Sequence, residues 1–181
     1  MQSSTGSTNV GRGGPYYGKY RAVVTDNIDP EQRGRLRAEV PDINVGESSS
    51  WAMPCVPVAG NNMGMFTVPP VGSGVWVEFE RGDPDYPIWV GGYWGSAPQT
   101  PSMAQAVTPG VAAITLQSPL GNGITVSDMP GAAGGILIQT PSGARISVSS
   151  LGIEINNGSG ATLRMTGTSI DMNDGALKVI F

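Results

Sequence analysis

Ile136-Leu-Ile138-Gln-Thr140, Ile146-Ser-Val148, Ile153-Glu-Ile155, Leu163-Arg-Met165, Ile170-Asp-Met172 and Leu177-Lys-Val179 are the pieces of one stretch, residues 136–181, whose reading decides the fold. Apolar residues recur every second position, against Gln139, Arg145, Ser147, Ser149, Glu154, Asn156, Arg164, Asp171, Asn173 and Lys178. Successive side chains of a strand point to opposite faces, so each piece has one apolar and one polar side. Gly143, Gly152, Gly158, Gly160, Gly167 and Gly175 separate the pieces, where the chain can turn. The pattern predicts short strands in a meander with no helix lying on them.

Such a ribbon has nowhere to hide its apolar side. Burying one aliphatic side chain gains roughly 1.5–3 kcal/mol, yet a lone short-stranded meander is marginal in water. A one-chain solenoid would show rungs of about 20 residues or more. These pieces are shorter, and each supplies about two inward residues. The expectation is a short intertwined β-helix built from three identical chains, with closed rotational symmetry supplying the shared interior. Its predicted core is Ile136, Ile138, Ile146, Val148, Ile153, Ile155, Leu163, Met165, Ile170, Met172, Leu177 and Val179.

Composition fits an all-β protein. The 27 Gly and 15 Pro among 181 residues disfavour long helices. Charged residues are 13%, about half the globular average. A net charge of −4 per chain gives no gross attraction to nucleic acid or anionic lipid. No apolar run approaches the roughly 20 residues of a membrane-spanning helix, and the start, Met1-Gln-Ser-Ser-Thr-Gly-Ser7, reads as no signal peptide. Assembly in a cytoplasm is therefore expected. Cys55, the single cysteine, is expected to be a small buried hydrophobe.

Residues 1–14 read as a flexible arm, and 15–97 as a compact barrel. Tyr16 to Asp26 opens it, and Leu36, Ala38 and Val40 alternate with Arg35, Arg37 and Glu39 before Pro41. Val75, Val77 and Phe79 share one face of the next strong strand, opposite Trp76, Glu78 and Glu80. Five or six short strands without helices predict an OB-fold barrel. Residues 98–112, with Pro98, Pro101 and Pro109, read as a linker, and 113–181 as the needle.

The order Gly34-Arg-Leu-Arg-Ala-Glu-Val-Pro41, Trp51, Pro54, Pro69-Pro-Val-Gly72, Val75-Trp-Val-Glu-Phe79 and Gly82-Asp-Pro-Asp-Tyr-Pro-Ile-Trp-Val-Gly91 resembles the central spike proteins of contractile tails. These are phage baseplate assembly protein V, the tail-spike OB domain of T4-like phages, and VgrG. The resemblance covers roughly residues 16–95. It implies a homotrimer in a virion or injection-particle baseplate, an OB barrel followed by an intertwined needle, and piercing of the target envelope on sheath contraction. It also implies a separate hub protein above the barrel. A PAAR-type cap is expected at the apolar end, touching Val179, Ile180 and Phe181. The connector has no room for the lysozyme domain of T4-type spikes.

Two other functions compete. Aromatic residues at 16, 17, 20, 51, 76, 89 and 94 could stack bases as OB domains do, with Arg33, Arg35 and Arg37 as the one basic cluster. Glu31 and Glu39 flank that cluster, so no nucleic-acid partner is expected. Glu78, Glu80, Asp83 and Asp85 could be carboxylate pairs of a peptidoglycan-degrading tail enzyme, or Asp83 and Asp85 a calcium site. Aspartates as turn formers and glutamates on the wet face of a strand are the ordinary reading of these residues and the one preferred. A chain with no histidine lacks the usual general base and metal ligand. No catalytic residue, metal or cofactor is expected.

Overall fold

The computed structural model describes residues 15–43 and 46–180, apart from the Lys178 side chain. The predicted arm at residues 1–14 and the cap contact at Phe181 lie outside the described residues. The chain divides into two units, after Gly95.

The first unit contains β1 (Tyr20–Asp26), β2 (Arg37–Glu39), β3 (Met53–Pro54), β4 (Ala59–Gly60), β5 (Met63–Gly64), β6 (Gly74–Phe79) and β7 (Pro87–Tyr93). Five of these form one sheet in the order β2-β1-β6-β7-β3, and β4 pairs with β5. Among the described residues only β3 and β7 run parallel. Leu36 and Ala52 exchange backbone hydrogen bonds, which brings the chain ahead of β2 against the chain ahead of β3. The sheet thereby curls back on itself around Val24, Leu36, Ala38, Val40, Val75 and Val77, each at most 1% exposed. Alternation explains the choice: in β6 Val75, Val77 and Phe79 are buried while Trp76 and Glu78 are not.

One expectation fails here. Cys55 is exposed. It follows the two-residue edge strand β3, and the buried residue of that edge is Ala52. The Cys55 backbone N–H donates to the Trp89 carbonyl at 2.9 Å.

The second unit is a meander. β8 (Ala113–Gln117), β9 (Gly123–Ser127), β10 (Gly135–Gln139), β11 (Ala144–Ser149), β12 (Gly152–Asn157), β13 (Thr162–Thr166), β14 (Ser169–Met172) and β15 (Leu177–Ile180) follow one another. They pair antiparallel in chain order as one eight-stranded sheet. Glycine is required at its corners. A Cβ at Gly152 would lie 2.0 Å from the Met165 carbonyl oxygen, and one at Gly135 would lie 2.0 Å from that of Val148.

A helix does lie on this sheet, contrary to the alternation-based expectation. α1 (Ser102–Gln105) sits in the segment read as a linker and packs on β8 and β9. Met103 is 6% exposed, and its sulfur occupies the space over Gly123 where a Cβ would be 2.5 Å away. The Gln117 Oε1 accepts from the Met103 N–H at 2.9 Å and the Ser102 hydroxyl at 3.2 Å. Four residues are too few to print a helical period on the sequence.

Candidate assembly face

Register carries the alternation of single strands into two continuous rows. One runs Ile114, Val126, Ile136, Val148, Ile153, Met165, Ile170 and Val179, each paired directly with the next across the sheet. The other runs Leu116, Ile124, Ile138, Ile146, Ile155, Leu163, Met172 and Leu177. Every position in both rows is aliphatic or Met. Directly opposed side chains sit about 4.5–5.5 Å apart at Cβ, so each row is a continuous apolar ladder. Eight strands at about 4.8 Å spacing make the face about 34 Å long. It is two side chains wide.

All twelve residues predicted from the sequence fall on this face. Ile114, Leu116, Ile124 and Val126 extend it by two strands and were not among them. Only Leu163, Met165 and Ile170 of the sixteen are half-buried. The rest are exposed, from 36% at Ile153 to 69% at Ile114. The ladders are thus not packed within one chain. α1 does not cover them, because Met103 lies against Gly123 and Thr125, whose side of the strand is the other one.

That other face is mostly polar, with Leu137 in line with Thr125 and Ser147 as an apolar exception. Thr125 and Ser127 are buried under the α1 segment, and the Thr115 and Thr125 hydroxyls lie 3.1 Å apart. Farther along, the Glu154 carboxylate takes the Arg145 guanidinium at 2.5 Å and that of Arg164 at 3.0 Å. Arg164 also pairs with Asp174. The hydrogen bond from Arg164 is the largest influence on the Glu154 carboxyl; burial opposes it, and the Arg145 hydrogen bond and the charges of both guanidiniums add to it, so the carboxyl is held below its ordinary range. The ion pairs therefore lie on the side of the sheet opposite the two apolar ladders.

Most residues of the two competing functions are engaged within the barrel, whereas Tyr17 and Trp94 are exposed. Asp29 accepts from the backbone N–H groups of Glu31, Arg33 and Arg35 and pairs with the Arg35 guanidinium at 2.7 Å. The side-chain hydrogen bond from Arg35 dominates in holding Asp29 well below the usual carboxylate range. Arg33 pairs with Glu31 at 3.1 Å, and Arg37 lies 4.8 Å from the Trp51 ring centre. The basic cluster is spent on its own neighbours. Trp89 is buried, and its indole N–H donates to the Gly34 carbonyl at 3.1 Å. Trp76 packs beside Tyr93 under Arg21.

Lys19 pairs with Glu78, and Asp83 Oδ1 accepts from the Asp85 N–H at 3.0 Å. The Gly82-Asp-Pro segment has a packing reason. Gly82 adopts a φ of +78°, its carbonyl accepts from the Tyr16 N–H at 2.8 Å, and a Cβ there would lie 2.8 Å from Pro15. Among the described residues, no three Cys, Asp or Glu side chains converge as a metal site. No described helix is long and apolar enough to cross a membrane.

Two family models match the chain. Residues 20–94 match the type VI secretion system/phage-baseplate injector OB domain. Residues 113–178 match the phage baseplate V C-terminal trimerisation domain. The chain belongs to the phage baseplate V family. The two matches coincide with the barrel and the eight-stranded sheet, so both units of this baseplate V protein are accounted for. The baseplate V membership makes it a structural component of a phage or injection-particle baseplate. No curated protein matches the chain.

Proposed function

We propose that three copies of this chain form the central spike of a contractile baseplate, and that sheath contraction drives it through the target envelope. The observation that carries this is the pair of uninterrupted apolar ladders left exposed on one chain. A strip about 34 Å long and only two residues wide suits a narrow prism, in which three strips face a common axis. The twelve core residues named from the sequence, with Ile114, Leu116, Ile124 and Val126, are its interior. The charged row through Arg145, Glu154 and Arg164 faces water.

The barrel is the docking unit for a separate hub protein. A PAAR-type cap is the partner at the far end. β15 is paired on one side only, which leaves a row of backbone groups for another β-protein to satisfy. Val179 and Ile180 stand exposed beside that edge, and Phe181 is the third residue of the proposed contact.

Sedimentation equilibrium of the full chain tests the assembly. The expected mass is about 56 kDa, three times the 18.7 kDa of one chain. A monomer at micromolar concentration overturns it.

A further inference from the structure

The turn between β12 and β13 holds an Asn-Gly pair in an unusual setting. Asn-Gly is chemically labile because the glycine nitrogen can attack the asparagine side-chain carbonyl with little steric hindrance. Neither residue is easily exchanged here. Gly158 has a φ of +77°, and a Cβ on it would lie 2.6 Å from the Ser142 oxygen and 2.7 Å from the Ala144 nitrogen. Asn157 Oδ1 accepts from the backbone N–H groups of Ser159 and Ala161, both at 2.9 Å, and so shapes the turn.

Those two donors have a chemical consequence. They polarise the Asn157 side-chain carbonyl and are placed on the oxygen that gains charge when a nucleophile adds to Cγ, as oxyanion-hole donors are. The attacking nitrogen, however, is restrained. The Gly158 N–H donates to Asn156 Oδ1 at 2.7 Å. Asn157 and Gly158 are both exposed, so water and base reach them.

We infer that Asn157 is a latent deamidation site, primed by the Ser159 and Ala161 amides and latched by the Asn156 side chain. In the reaction the Gly158 nitrogen loses its proton to solvent base and forms a bond to Asn157 Cγ. The Cγ–Nδ2 bond breaks, and Nδ2 leaves as ammonia. Water then opens the cyclic imide at either carbonyl, giving an aspartyl or isoaspartyl residue at position 157. The chain becomes more negative by one charge. The isoaspartyl product also lengthens the backbone at the end of β12, beside the turn that Gly158 packs against.

The test is deamidation of the full chain at mildly alkaline pH, followed by peptide mapping and isoelectric focusing. Asn156→Ala removes the latch, and Asn156→Asp keeps an acceptor for the Gly158 N–H. In the folded protein Asn156→Ala should react roughly three- to ten-fold faster than wild type at Asn157, the rate equivalent of one net hydrogen bond. Asn156→Asp should stay as slow as wild type. In guanidinium, where the turn is lost, wild type and Asn156→Ala should react alike. Equal rates for all three folded proteins overturn the inference. So does equal acceleration by Asn156→Ala and Asn156→Asp, which would mean that the turn has merely loosened. An Asn156→Ala effect that persists in guanidinium overturns it as well.

Discussion

Replacing Ile146 separates the assembly account from a free-standing sheet. Ile146 sits mid-ladder between Ile138 and Ile155, and one chain leaves it 41% exposed. Burying an aliphatic side chain fully gains roughly 1.5–3 kcal/mol. The uncovered two-fifths is then worth about 0.6–1.2 kcal/mol per copy, or roughly 2–4 kcal/mol over three copies at one level of the prism. Ile146→Ala forfeits that and more, because the gap it leaves cannot close fully. Ile146→Asp does much worse. Each copy would carry a carboxylate into an apolar interior at several kcal/mol apiece, beside two like charges. In a sheet that works as a monomer, the same carboxylate stays hydrated and costs little. Light scattering on the purified variants decides between these. Ile146→Ala should remain trimeric with a lower melting temperature, and Ile146→Asp should be monomeric or aggregated. An Ile146→Asp protein with wild-type mass and melting temperature would refute the reasoning.

Further outcomes follow from the same geometry. Gly82→Ala should destabilise the barrel by about 1–3 kcal/mol, through a left-handed φ and a clash with Pro15, measured by chemical denaturation. Trp89→Phe leaves the Gly34 carbonyl without its indole donor and should cost about 1–3 kcal/mol in the same assay. For Glu154 the folded carboxyl is depressed, so its contribution is present above the unfolded value of about 4.3 and is lost as pH falls below it. Glu154→Gln should therefore lower the melting temperature at pH 7, with the difference from wild type shrinking between pH 5 and 3.

Much of this was legible in the sequence because a strand's period is two. Leu36, Ala38 and Val40, then Val75, Val77 and Phe79, are buried as their alternation required, and the twelve residues predicted as the core of 136–179 lie on one face. Ile114, Leu116, Ile124 and Val126 escaped the first list for a physical reason. The 128–134 connection separates their strands from the stretch that starts at Ile136, and it is the pairing of β9 with β10 and of β8 with β9 that puts them in line with Ile136 and Ile138. α1 left no trace, since one turn flanked by Pro101 is held by Met103 and Gln117 rather than by a helical pattern. Cys55 was misjudged because burial at a two-residue edge depends on which neighbour turns inward, and there it is Ala52. The Arg35–Asp29 pair was hidden by the turn that brings them together.

Methionine oxidation tests most directly whether the ladders face each other between copies. In a single chain Met172 is 42% exposed and Met63, on the barrel, is 63% exposed, so dilute peroxide should convert both to sulfoxides. If three copies enclose the ladders, Met63 oxidises in the native protein while Met172 stays intact until the assembly is dissociated. Oxidation of Met172 alongside Met63 in the native protein would contradict the account.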